Sequence, residues 1–294
     1  MKIILQRRRL LEILSIITLC LVLGIQSHSQ LIKPVKSGYA PVNGLKMYYE
    51  VYGEGKPLVL LHGAFMTINT NFEMLIPELS KSRKVIAVEL QGHGRTADID
   101  RAFTLENLAD DVASLLTYLT IDSADILGYS MGGMVAVQVA IRHPRLTRKL
   151  IIASSVFKYE GWSQDTRAVF PMIKPEFFEG SPIKKAYDSL APDPKHWPQF
   201  VNKMLKMITT PYDFTEKART LKKPMFFIMG DSDGILPEHV VEMFRIAGGV
   251  KNGDMAGLSN SQLAILPATS HTGLFRHADW LLSMIPAFLN APVY

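Results

Sequence analysis

Short, predominantly apolar runs recur along the chain and alternate with stretches whose apolar positions repeat at helical spacing. Residues 57–61, 84–90, 124–127, 149–153, 224–229 and 262–266 are runs of this kind. An apolar run without alternation predicts a strand covered on both faces, as in a parallel sheet. Residues 46–52 have the aromatic and β-branched content of another strand, and residues 30–44 read as a polar lead-in. Helices are predicted near residues 72–80, over 104–119, over Met131–Arg142 and over 278–289. In the second of these, Leu105, Leu108, Val112, Leu115 and Leu116 share one face, Thr104 suits the N-cap and Glu106 the first turn. Pro144 stops the third. The alternation predicts an α/β fold, a mostly parallel central sheet with helices on both faces.

Residues 156–222 break the alternation. They hold no convincing buried strand and are rich in aromatic residues, Met and Pro. A 67-residue stretch of this kind is too long for an ordinary loop. It predicts a helical cap inserted into the sheet, with a core made of residues 30–155 and 223–294. Half or more of the cap's aromatic and Met side chains are expected to form its own packing.

The first 29 residues differ from the rest. Lys2, Arg7, Arg8 and Arg9 precede a 13-residue, mostly apolar stretch from residue 13 to 25. Ser27 and Ser29 then supply small residues at the −3 and −1 positions of a cleavage site. This is the pattern of a secretory signal peptide, which predicts a secreted or periplasmic protein. The alternative is an uncleaved membrane tether, for which the apolar stretch is short of the roughly 20 residues needed. The formal charge of +5 changes meaning accordingly. Four positives and one negative lie in those 29 residues, so +3 of the +5 belongs to the export segment. The remaining +2, without a Lys/Arg run, argues against a nucleic-acid partner. Cys20, the sole cysteine, lies in the same segment. A mature chain without cysteine has no disulfide scaffold, Cys-based zinc site or cysteine nucleophile.

Candidate chemistry centres on Gly128-Tyr129-Ser130-Met131-Gly132, a G-x-S-x-G run placed between a predicted strand and a predicted helix. A sharp strand-to-helix turn strains the backbone of its middle residue. Side chains two places before and after it would strike neighbouring strands, so glycine is required there. The turn would hold the Ser130 hydroxyl at the carboxyl end of the sheet, against a helix N-terminus. A serine nucleophile needs a base, and the base an orienting acid. His143, His196, His239, His271 and His277 follow Ser130; His271 alone lies just past a buried strand, where such sheets build their sites. Asp231 and Asp233 both follow the strand ending at Met229. Asp233 is preferred, because Asp231 sits closer to the strand and suits a turn. An oxyanion hole needs two aimed N–H groups. Met131 supplies one, and Ala64, with Phe65 as the alternative, the other, in the loop His62-Gly63-Ala64-Phe65. His62 reads as a residue that fixes this loop.

His62-Gly63, Gln91-Gly-His-Gly-Arg95, Gly128-Tyr-Ser-Met-Gly132, Gly230-x-x-Asp233 and His271, in this order, resemble the α/β-hydrolase superfamily in its capped form, over about 250 residues. The resemblance implies a Ser130–His271–Asp233 triad, a structural turn at residues 91–95 without a catalytic role, and no metal or cofactor. It implies acyl transfer to Ser130 on a small-molecule carboxylic ester, lactone or thioester. The same triad also serves C–C bond hydrolases and cofactor-free haloperoxidases or perhydrolases. A non-catalytic ligand-binding protein on the same fold is the alternative of another class, and such a binder has no need of an intact triad. Phe65, Trp162 and Met131 are candidate pocket-lining residues. Physiological substrate and oligomeric state are not legible in the sequence.

Overall fold

The computed structural model describes residues 32–292. The predicted signal segment lies outside the described residues. Eight strands form one sheet: β1 (Lys36–Val42), β2 (Leu45–Tyr52), β3 (Lys56–Leu61), β4 (Arg83–Val88), β5 (Ala124–Tyr129), β6 (Thr147–Ala153), β7 (Met225–Ser232) and β8 (Gln262–Ser270). Their order is β1-β2-β4-β3-β5-β6-β7-β8. The β1–β2 and β2–β4 pairs are antiparallel, and all pairs from β4 to β8 are parallel. β5 is buried along its whole length, as expected for a strand covered by helices on both faces.

Two sequence expectations need correction. The polar lead-in contains a strand, β1, which pairs with β2 from Lys36↔Val51 to Val42↔Leu45. Asn43 (φ 47°) and Gly44 (φ 85°) form the two-residue link. An Asn-Gly pair takes such positive φ values readily and is the usual signal of a tight hairpin. The helix expected near residues 72–80 is two short helices, α1 (Ile68–Phe72) and α2 (Ile76–Leu79). Pro77 lies in the first turn of α2, where its missing N–H costs nothing, but it cannot continue a helix from α1.

The other helices stand where the periodicity places them. They are α3 (Leu105–Tyr118) and α4 (Met131–Arg142), with α11 (Ala278–Asn290) at the end of the chain. Thr104 caps α3 by accepting the Asn107 N–H at 3.1 Å. Between β6 and β7 the chain holds only helical turns, including α5 (Gln164–Val169), α6 (Pro182–Leu190), α7 (Trp197–Thr209) and α8 (Thr215–Arg219). Its two ends are tied together, by Tyr159 N–H to Tyr212 O at 2.8 Å and Phe214 N–H to Phe157 O at 3.0 Å. Before β8 lie α9 (Pro237–Ile246) and α10 (Gly253–Ala256).

Two apolar clusters sandwich the sheet. One joins α3, α4 and the inserted helices, including Trp197, Phe200 and Met204 of α7. The other joins α1, α2 and α11. Lys149 is fully buried, and its Nζ donates to the carbonyls of Phe288 (2.7 Å), Leu289 (3.3 Å) and Ala291 (2.6 Å). It thus satisfies the C-terminal end of α11, whose last carbonyls have no intrahelical partner.

Candidate active site

Ser130 stands between β5 and α4 with φ 52° and ψ −117°, a conformation that costs on the order of 1–3 kcal/mol for a non-glycine residue. Its surroundings enforce it. The Ser130 N–H donates to Ala153 O at 2.8 Å, and Ser130 O accepts from Ser155 Oγ at 2.8 Å. The glycines have distinct reasons. A Cβ on Gly132 would lie 2.1 Å from Leu61 O, at the end of β3. On Gly128 the obstacle is the first turn of α4 rather than a neighbouring strand, with Gly132 O 2.1 Å away. Gly133 is needed too, because a Cβ there would meet Ser155 Cβ at 2.5 Å.

Three sequence-remote side chains meet at this turn. Ser130 Oγ and His271 Nε2 are 3.0 Å apart, and His271 Nδ1 and Asp233 Oδ1 2.8 Å apart. The Ile235 N–H also donates to Asp233 Oδ1, at 3.2 Å. Burial by itself would raise the Asp233 carboxyl, but His271, the Ser154 hydroxyl and the Ile235 N–H together outweigh it and hold the group below its usual range. The Ser154 hydroxyl acts in the same direction, although its oxygen and Asp233 Oδ2 do not meet at hydrogen-bond geometry. An ionised Asp233 fixes the Nδ1–H tautomer of His271 and leaves Nε2 as the acceptor facing Ser130.

Asp231 is exposed, at the end of β7, and accepts from the N–H groups of Ala268 (3.0 Å) and Thr269 (3.2 Å), so it ties the end of β8 to β7. The other histidines are engaged elsewhere. His143 bonds Asp110 at 2.7 Å, His239 accepts the Phe157 N–H at 3.0 Å, His196 lies 3.6 Å from Asp193, and His277 stacks on Trp280.

The loop at residues 62–65 follows β3. A Cβ on Gly63 would lie 3.5 Å from Ser130 Cβ, which places this loop beside the serine. His62 is fully buried, Nδ1 lying 2.8 Å from Gly63 O while Nε2 accepts the Leu90 N–H at 3.1 Å. Burial pushes its pKa down to about 4, so it is a neutral loop fixer. Met131, at the first position of α4, lies next to Ser130 and is buried.

Trp162 packs edge-on against the His271 ring at 5.4 Å, and its indole N–H donates to Tyr212 Oη at 3.0 Å. Phe65 turns its ring toward Phe178 (5.0 Å) and Phe200 (5.6 Å). Sequence reasoning missed Tyr129, whose hydroxyl donates to His271 O at 2.9 Å and whose ring lies 5.3 Å from the imidazole. It also missed Asn71, which accepts the Gly63 N–H at 2.9 Å. Neither carries a local signal: Tyr129 is the variable position of the serine motif, and Asn71 stands in α1.

A model of the α/β hydrolase fold family matches residues 56–196. Over 115 residues the chain is 35% identical to the 2-hydroxymuconate semialdehyde hydrolase of Pseudomonas sp. (strain CF600), covering 38% of this chain and 41% of that protein. The chain thus spans about two fifths of that relative's length. It is 26% identical over 275 residues to the pimeloyl-[acyl-carrier protein] methyl ester esterase of Aliivibrio fischeri (strain MJ11), covering 83% of this chain and 97% of that one. Among solved structures, the enol-lactonase of Burkholderia xenovorans LB400 superposes with a TM-score of 0.67 at 22% identity, covering 86% of this chain and 100% of that one. That likeness concerns the fold. Sheet order, the family match over residues 56–196 and the full-length relatives agree on the α/β-hydrolase fold for this chain.

Proposed function

We propose that the protein is a serine hydrolase that cleaves a small carboxylic ester, lactone or thioester through an acyl-enzyme on Ser130. The reading rests on one observation, the continuous Ser130–His271–Asp233 chain at 3.0 and 2.8 Å. His271 Nε2 takes the hydroxyl proton as Ser130 Oγ attacks the carbonyl carbon. The N–H groups of Ala64 and Met131 receive the oxyanion. As the tetrahedral intermediate collapses, the C–O (or C–S) bond breaks and His271 returns the proton to the leaving group. Water then attacks the acyl carbon, with His271 again as base, and frees the acid.

Trp162, against His271, and Phe65 make the proposed pocket wall aromatic, which suits an apolar acyl or aromatic group. The relatives act on an ester and, by its name, a semialdehyde, so a substrate panel spans both. Export, on the basic head and apolar stretch of residues 1–29, belongs to the same proposal.

The test is Ser130→Ala assayed on p-nitrophenyl esters and lactones. A loss of about 10⁴-fold or more in kcat is expected. Retained turnover removes Ser130 from the mechanism. Turnover of 2-hydroxymuconate semialdehyde, but of no ester or lactone, replaces ester cleavage by C–C cleavage.

A further inference from the structure

The loop beside Ser130 is held from three directions. Of the four N–H groups at residues 63–66, that of Gly63 donates to Asn71 Oδ1 (2.9 Å), that of Phe65 to His93 Nε2 (3.2 Å) and that of Met66 to Gly63 O (3.2 Å). Among the described residues only the Ala64 N–H has no acceptor in this run. Phe65 carries φ 63°, a left-handed conformation unfavourable for a large side chain. Its bond to His93 opposes relaxation of that strain.

His93 is built for this bond. Its Nδ1 lies 2.9 Å from Gln91 O, and a carbonyl there requires Nδ1–H, which leaves Nε2 as an acceptor. The ring is 2% exposed and burial pushes its pKa well down, so the acceptor stays unprotonated. Phe200 of α7 packs perpendicular to the imidazole at 4.8 Å and touches the Phe65 ring at 5.6 Å. Gly92 makes room for it: at φ 75°, a Cβ there would lie 2.8 Å from Phe200 Cδ2. The inserted helices thus press on both the side chain and the backbone anchor of Phe65.

We propose that His93 is a positioning residue of the oxyanion hole, holding the Phe65 peptide so that the Ala64 N–H is presented to Ser130, with Phe200 coupling the seating of the inserted helices to that hole. The proposal rests on the reading of Ser130 as nucleophile. His93 touches neither substrate nor reacting atoms and acts through the loop. Its removal therefore weakens binding of the tetrahedral state and leaves ground-state binding nearly untouched.

The experiment compares wild type, His93→Leu, His93→Gln and Ser130→Ala on p-nitrophenyl butyrate, with n-butylboronic acid as the tetrahedral-adduct probe and melting temperature as a check on folding. His93→Leu is expected to lower kcat by about 10²-fold with KM within about threefold, and to weaken boronate inhibition by a similar factor. His93→Gln, which can offer an amide oxygen to the Phe65 N–H, recovers most of both. If His93→Leu does not fold, His93→Asn, whose amide stops short of Phe65, is read in the same way. A folded variant that keeps kcat and boronate affinity overturns the proposal, as does a loss in KM alone. Turnover that survives Ser130→Ala is the separate result that sinks the serine mechanism, and this proposal with it.

Discussion

Replacing Gly132 by Ala adds one methyl group at the tightest approach in the site. The new Cβ would stand 2.1 Å from Leu61 O, 2.5 Å from Leu61 C and 2.6 Å from His62 O. Carbon contacts are comfortable only near 3.5 Å, so the first turn of α4 must retreat from β3 by about 1 Å. The atoms struck are backbone at the buried end of β3, with no rotamer to yield. Overpacking of this kind costs about 1–3 kcal/mol. At roughly 2–4 °C per kcal/mol for a domain of this order, the melting temperature falls by about 2–12 °C. The catalytic effect is larger in proportion. The retreat moves Met131 N–H and Ser130 away from the loop at residues 62–65, and a 1 Å misplacement can cost about 10²-fold in rate. Thermal unfolding and p-nitrophenyl ester kinetics measure the two effects on one sample. A variant with unchanged melting temperature and kcat within about twofold of wild type refutes the close-packing account of this glycine.

Asp233→Asn keeps the shape of the triad but turns His271 to the wrong tautomer, so kcat should fall about 10⁴-fold in steady-state assays. The same change should alter stability against pH. The Asp233 carboxyl is held low in the folded state, so its stabilising contribution is present above the unfolded value and is lost as pH falls through the folded one. Urea midpoints of wild type should therefore drop more steeply below about pH 4 than those of Asp233→Asn, and parallel curves would count against this. Tyr129→Phe removes the 2.9 Å bond to His271 O, worth about 1 kcal/mol, and should lower kcat by severalfold with little effect on KM; a rise in KM alone would point to a pocket role instead. His62 refuses a proton until pH is about 4, whereas an unfolded His accepts one near 6.5, so stability is lost as pH falls between these values. Between about pH 7.5 and about pH 5 His62 alone accounts for about 2 kcal/mol, with His93 and His239 acting in the same direction, and an equal urea midpoint at the two pH values would contradict it.

β5 and most of β3 and β7 were legible because they are buried on both faces and apolar there. β8, expected to be buried, is an edge strand with only Leu266 and Thr269 buried, and was legible from its apolar residues alone. β5 reads as a strand and Gly128 to Gly132 as a turn from local sequence alone. β1 escaped notice because only Ala40 and Val42 of its seven residues are buried, and an edge strand with one face in solvent has a diluted pattern. The Asn43-Gly44 pair was the overlooked signal. The break between α1 and α2 was written in Pro77, against an otherwise helical distribution of apolar residues.

By itself the sequence determined the α/β alternation, the strained serine turn, and the chain order in which an acid and a histidine follow it. These are short-range properties, set by side-chain periodicity and by the steric demands of glycine. Only the tertiary structure decided which partners meet. His271 reaches Ser130 across 141 positions and Asp233 across 38, because β7 and β8 lie in parallel register and end on the same edge of the sheet. The setting of the loop at residues 62–65 by His93, and of His93 by Phe200, is equally invisible in the chain, since Phe65 and His93 stand 28 positions apart. A hydrogen bond between distant segments depends on how helices pack over the sheet, and no local pattern records that.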